Sequence, residues 1–243
     1  MLQTPEISDK RLSGKRLLLA LAILAAALAG WLYWIAASGT PAEYRQSRPG
    51  APAAPVRVAA VDLQWQTTID PAVQALRAAH PDIVFVQHLT RDSFVELARS
   101  LAMLTPEHFL YSELNLDART PGGCGIISRH QLYRHRELRD GTRDTFAVAA
   151  ETVVAGRRFL LVSVTIGGPN LAEQSEVLRK STGLLRTGPL ICAGQLGPTP
   201  PQGLHTLATD GGAEIYASEH WRTLANGQSG NVAWAETSAA GTK

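Results

Sequence analysis

With 243 residues, the chain has room for one or two domains and a sizeable hydrophobic core. Hydrophobic residues make up 45% and charged residues 18%, a globular balance that excludes a disordered chain. A formal net charge of +2 is too small to argue for a nucleic-acid partner.

Residues 17–37 carry no charge and are almost wholly apolar. At about 1.5 Å per residue they reach roughly 32 Å, enough to cross a hydrocarbon core of about 30 Å. Lys10, Arg11, Lys15 and Arg16 precede the run, and Trp31, Tyr33 and Trp34 lie near its far end. This pattern predicts a signal anchor with residues 1–16 in the cytoplasm and the rest of the chain outside. A cleaved signal peptide is the alternative, with Ala36-Ala37-Ser38 as its small-residue site, although such apolar runs usually span only about 7–15 residues. Residues 38–55, rich in Pro, Ala, Gly and Ser, read as a linker.

One domain is expected over residues 56–236, followed by a small polar tail at 237–243. Residues 56–63 read as a buried strand. Asp70-Pro71 then supplies an N-cap and a first helical residue for a helix to about His80. Residues 83–87 form a second apolar strand. A helix over 92–104 follows, with Phe94, Leu97, Ala98 and Leu101 along one face. Residues 125–128 are a short strand. The runs 146–154 and 157–166 form a hairpin about Ala155-Gly156. A helix is expected over 171–185, and strands over 190–193, 214–216 and 232–235. This order implies a mixed α and β fold with helices packed outside sheets. Cys124 and Cys192 are assigned to strands, as small buried hydrophobes or, in an oxidising compartment, as a disulfide.

Six segments in order resemble the endonuclease/exonuclease/phosphatase superfamily. Val58-Ala59-Ala60-Val61-Asp62 is similar to its first strand, which ends in a metal-site Asn. Residues 81–88, Pro-Asp-Ile-Val-Phe-Val-Gln-His, resemble the strand whose closing Glu holds the cation. Gly122-Gly123-Cys124-Gly125-Ile126-Ile127-Ser128-Arg129 resembles the family's Gly-Gly…Ser-Arg strand. Leu160-Leu161-Val162-Ser163-Val164-Thr165 matches the strand ending in a catalytic His. Residues 188–197, closing in Gly194-Gln195-Leu196-Gly197, match the Gly-Asp-Phe-Asn segment. Ser229-Gly230-Asn231-Val232-Ala233-Trp234 is similar to the last Ser-Asp-His strand. The resemblance implies an α+β fold, a four-layer α/β/β/α sandwich, here preceded by one transmembrane helix.

Carried over residue by residue, the resemblance leaves the chemistry without its groups. Asp62 stands at the metal Asn and His88 at the metal Glu. Thr165 stands at the catalytic His, Gln195 and Gly197 at the Asp and Asn of the loop, and Gly230-Asn231 at the final Asp-His pair. Glu219-His220 suits an outer turn before the last strand better than the site. Hard cations want carboxylate oxygens, and His88 offers nitrogen instead. Gln195, Thr165 and Asn231 cannot act as acid or base near neutral pH. Loss of a general base alone costs about 10²–10⁴ in rate. No catalytic residue and no cofactor is therefore expected, and His88 reads as a packed strand-end histidine. Thr165 and Gln195 read as ordinary hydrogen-bonding residues of a silent cleft. Magnesium or manganese enters only under the alternative of a divergent phosphodiesterase or nuclease.

The densest basic stretch, with Arg129, Arg134, Arg136 and Arg139, reads as a solvated loop or edge strand balanced by Glu137, Asp140 and Asp144. Its functional alternative is an anion patch. Trp221 and Trp234 are assigned to packing. The reading is a membrane-anchored pseudoenzyme that binds a protein or small ligand outside the cytoplasm.

Overall fold

Two apolar strands separated by a ten-residue amphipathic helix pair in parallel, because the helix carries the chain back over the sheet. Residues 56–87 do this in the computed structural model. It describes residues 55–65, 68–102, 109–111, 123–140, 145–166, 171–184, 189–196, 203–210 and 213–239. Strand β1 (Val56–Asp62) runs parallel to β2 (Ile83–Gln87), and α1 (Asp70–Ala79) connects them. After α2 (Arg91–Ser100) come β3 (Phe109–Tyr111), β4 (Gly125–Ser128) and β5 (Leu132–Arg139). Strands β6 (Thr145–Val154) and β7 (Arg157–Thr165) form the expected hairpin about Ala155-Gly156. Helix α3 (Leu171–Leu184) then crosses to β8 (Leu190–Gln195), which lies parallel to β7. Strands β9 (Leu204–Asp210), β10 (Ala213–Ser218), β11 (Trp221–Ser229) and β12 (Val232–Ala239) follow.

The strands form two six-stranded sheets, ordered β11-β12-β1-β2-β4-β3 and β5-β6-β7-β8-β10-β9. Alternation along each strand sorts the side chains into layers. Val58, Ala60, Ile83 and Phe85 of the first sheet meet Leu161, Ile191, Ala193 and Ile215 of the second in a shared core. The intervening residues Ala59, Val61, Val84 and Val86 pack outward against Leu76 of α1 and Phe94 and Leu97 of α2. On the far side, Val162, Val164 and Cys192 meet Leu178 of α3. The layer order is helix, sheet, sheet, helix.

Three details depart from the sequence reading. Asp70 is the first residue of α1, not its cap; the cap is Ile69, which makes no side-chain capping bond, and Pro71 sits in the first turn. Strand β12 continues to Ala239, past the boundary expected at residue 236. Thr237 is fully buried there, and its hydroxyl donates to the Val56 carbonyl at 3.2 Å, so these residues belong to the sheet. Strands β3, β9 and β11 were absent from the reading; β11 buries only Trp221, so it carries no apolar alternation to read. The segment 17–37 lies outside the described residues. Among the described residues no helix is long and apolar enough to cross a membrane.

Trp221 packs at 4.8 Å from Phe159, and Trp234 lies under the Arg57 guanidinium at 5.3 Å. Cys192 lies in β8 and Cys124 just before β4; both are buried and unbridged. Burial pushes the Cys192 thiol far above its ordinary range, and nearby Cys124 adds to the shift. Thiol alkylation of the native protein should therefore be negligible and appear only on unfolding; rapid native labelling would contradict this packing.

Gly194, one residue before the end of β8, has φ +135, and an added Cβ would collide with the Val164 carbonyl oxygen. Gly194→Ala should lower stability by about 2–4 kcal/mol in denaturant unfolding.

Candidate functional site

In open α/β sheets, ligands meet the carboxyl ends of parallel strands, where loops open away from the helices. Four such ends converge here, those of β1, β2, β7 and β8. They carry Asp62, Gln87 with His88 next to it, Thr165 and Gln195. Strand β12 runs antiparallel to β1, with Val232 opposite Val61, so Asn231 falls at the same end. Asp62 shares the parity of Val58 and Ala60, and Gln195 that of Ile191 and Ala193; both therefore face the space between the sheets.

The two sheets meet at the Asp62 carboxylate, which is 6% exposed. One oxygen, Oδ1, lies 2.7 Å from His88 Nδ1 and accepts the Gln64 backbone N–H at 2.9 Å. The other, Oδ2, accepts Gln195 Nε2 at 3.0 Å across the sandwich. An ionised carboxylate only accepts, so Nδ1 of His88 and the amide nitrogen of Gln195 must be the groups facing it. Asn231 Nδ2 donates to the Asp62 backbone carbonyl at 3.4 Å. The sequence analysis singled out these four residues from four distant segments, and the fold brings them together.

Beneath this cluster a second polar layer crosses the sheets. Gln87 Nε2 donates to Ser163 Oγ at 3.2 Å and to the Ala193 carbonyl at 3.4 Å, and Ser163 Oγ donates to the Val86 carbonyl at 3.2 Å. Two oxygens nonetheless have no partner, Gln87 Oε1 and Thr165 Oγ1. Their residues are 0% and 1% exposed. Thr165 thus differs from the ordinary hydrogen-bonding residue expected there. It sits beside Gln195 in the parallel register and shares the parity of Leu161 and Ser163, which puts it on the inter-sheet face.

The backbone around Asp62 is strained. Gln64, Trp65 and His88 all adopt left-handed conformations, with φ 50, 60 and 47. For non-glycine residues each costs of order 1–3 kcal/mol. The strain is held by main-chain bonds from Trp65 N–H to the His88 carbonyl at 2.9 Å and from Leu63 N–H to the Gln87 carbonyl at 3.0 Å. As a result the Trp65 ring lies 5.5 Å from the His88 imidazole, tilted by 51°. Trp65 remains 40% exposed, and Leu224 is the other large exposed hydrophobic among the described residues. Trp65, Gln87 and Ser163 were missed by sequence reading. A tryptophan just beyond a strand-end acid was the one available signal.

Gly230 forms the β11–β12 turn with φ 59, and Gly197 lies outside the described residues. Glu219-His220 forms the β10–β11 turn. Ser218 there bonds His220 Nδ1 and the Leu190 N–H at the start of β8, which places the pair at the opposite end of the sandwich from Asp62.

A hard divalent cation needs several oxygen ligands, usually carboxylate. At Asp62 both oxygens already accept from protein donors, and the Gln195 amide turns its nitrogen inward. No group of three or more His, Cys, Asp or Glu side chains suited to a metal occurs among the described residues. The residues at this site do not fit such a cation.

Arg134, Arg136 and Arg139 of the basic stretch lie on the edge strand β5, and Arg129 precedes it. Arg134 Nη1 lies 3.6 Å from Glu151, Arg139 bonds Glu137 at 2.6 Å, and Arg129 donates to the Pro81 carbonyl at 3.2 Å. Arg136 is exposed, and a bulge interrupts the pairing between Tyr133 and Arg136. Charges and a bulge are what protect an open sheet edge from pairing with another chain.

Compared with protein-family models and with curated proteins, the sequence matches none. Among solved structures, the human Nocturnin catalytic domain with bound sulfate superposes with a TM-score of 0.58 at 16% identity, covering 82% of this chain and 100% of that one. An endonuclease/exonuclease/phosphatase from Bacteroides vulgatus gives 0.58 at 13% identity, covering 76% and 99%. Another from Beutenbergia cavernae gives 0.56 at 15%, covering 76% and 72%. The chain has the two-sheet sandwich fold of these proteins.

Asp62→Ala strands three donors at a buried position, and should cost about 2–4 kcal/mol in denaturant unfolding. Thr165→Val removes a hydroxyl that satisfies nothing. It should leave stability unchanged or raise it by about 1 kcal/mol, and a clear loss would show that Oγ1 is paired.

Proposed function

We propose that this chain is a membrane-tethered domain of endonuclease/exonuclease/phosphatase fold that binds a protein or small ligand outside the cytoplasm. On this reading it does not carry out metal-dependent phosphodiester cleavage. One observation supports it above the others. The single acid among the described residues of the strand-end cluster, Asp62, is consumed by His88, Gln195 and the Gln64 N–H. A hydrolase of this fold needs an acid free to take a cation and a second group free to move a proton. Of the other resemblance positions around Asp62, Gln195, Thr165 and Asn231 hold two amides and a hydroxyl, none an acid or base near neutral pH, while the His88 imidazole is turned to Asp62 through Nδ1. Losing the charge stabilisation of a cation together with these groups removes effects that act as a unit, so little residual rate is expected.

The test uses the full chain in detergent with bis-p-nitrophenyl phosphate and with plasmid DNA, in magnesium and in manganese. The expected result is no turnover above buffer. Metal-dependent turnover abolished by Asp62→Ala would establish a divergent phosphodiesterase instead.

The tether is tested by topology. The native cysteines are buried, so a cysteine placed at Ser8 or at Thr242 reports alone. A membrane-impermeant maleimide on intact cells should label Thr242→Cys and spare Ser8→Cys. The reverse pattern, or recovery of a shortened soluble chain, would refute the anchor.

A further inference from the structure

The cluster at Asp62 is dense with polar groups, yet three of its atoms have no protein partner. Thr165 Oγ1 and Gln87 Oε1 are buried and unbonded. His88 commits Nδ1 to Asp62, which leaves Nε2 without a partner. Buried polar atoms are nearly always satisfied, so two orphans in one layer call for a missing partner. At the same strand ends the chain holds Trp65, 40% exposed, against the His88 ring, with Gln64, Trp65 and His88 all left-handed around one carboxylate. Strain of this kind persists where the surrounding structure enforces it, and it gathers at binding sites.

The chemistry of the missing partner can be narrowed. Among the described residues of the cluster a cation finds no free carboxylate, because Asp62 already accepts from three donors. A phosphate finds no arginine among those placed near the strands that build the site. Arg57 and Arg157 sit at the opposite ends of β1 and β7, and Arg129 follows β4 beside the start of β2. What remains is an aromatic face, an imidazole nitrogen, a hydroxyl and an amide oxygen that must accept. We propose, on the footing of the binding role above, that this cleft takes a neutral planar heteroaromatic compound carrying adjacent N–H and C=O groups. The compound stacks on Trp65 and hydrogen-bonds to His88 Nε2 and Thr165 Oγ1. Gln87 Oε1 lies deeper and accepts from the ligand edge or from a water that the ligand traps.

Inosine, uridine, indole and inorganic phosphate serve as probes, titrated against the full chain by calorimetry or saturation-transfer NMR. A nucleoside should bind, indole more weakly because it lacks an acceptor, and phosphate not at all. Trp65→Ala should weaken nucleoside binding at least about fivefold, and Trp65→Phe should restore part of it. Thr165→Val should weaken binding by about tenfold with no fall in unfolding temperature, a combination that a purely structural hydroxyl would not give. Binding of phosphate in preference to nucleosides would overturn the assignment. So would binding of no probe, or affinities that Trp65→Ala and Thr165→Val leave unchanged. Phosphodiester turnover would remove the non-catalytic reading and leave this binding result standing. Failure of nucleoside binding without turnover would remove only this inference.

Discussion

A carboxylate held between two β-sheets is costly, because burial takes an ion out of water and repays it only if every lone pair finds a donor. Asp62 meets that condition by drawing on both sheets at once. His88 and the Gln64 N–H approach from its own sheet, and Gln195 reaches across from the other. This one carboxylate therefore ties together the carboxyl ends of β1, β2 and β8, and with Asn231 the start of β12 as well. In a metal-dependent site of this fold, a cation would draw acidic groups together at the same place. Here N–H donors of the protein do so.

The same end of the sandwich holds three left-handed non-glycine residues and a close glycine approach. Gly194 lets β8 pass close to the Val164 carbonyl, which brings Gln195 within reach of Asp62. Gln64, Trp65 and His88 accept left-handed geometry so that the loop after β1 folds back over the end of β2. The hydrophobic core below is ordinary by contrast, with small and branched residues interlocking in alternating layers. Two buried oxygens without a partner, Gln87 Oε1 and Thr165 Oγ1, lie at this same end.

Most of the fold was legible because buried strands and amphipathic helices write their burial into period. The runs at β1, β2, β7 and β8 are apolar over most of their length, as strands covered on both faces are. Helix α2 shows its core face as Phe94, Leu97 and Ala98. Strands β9 and β11 stayed hidden because they run at sheet edges, where most side chains of β11 face solvent and leave no pattern. The end of the domain was misplaced for a related reason. Thr237 is polar but buried, held by a hydroxyl bond that no local pattern announces.

By itself the sequence determined which residue types stand at the strand ends, because that question is one of chemical identity. Only the tertiary structure decided what those residues do with one another. Whether Asp62 was free or saturated, whether His88 turned toward it, and whether Thr165 found a partner all depend on distances between segments up to 169 residues apart. Those distances are set by sheet register and layer packing, which act over the whole molecule and leave no trace in any short stretch of chain.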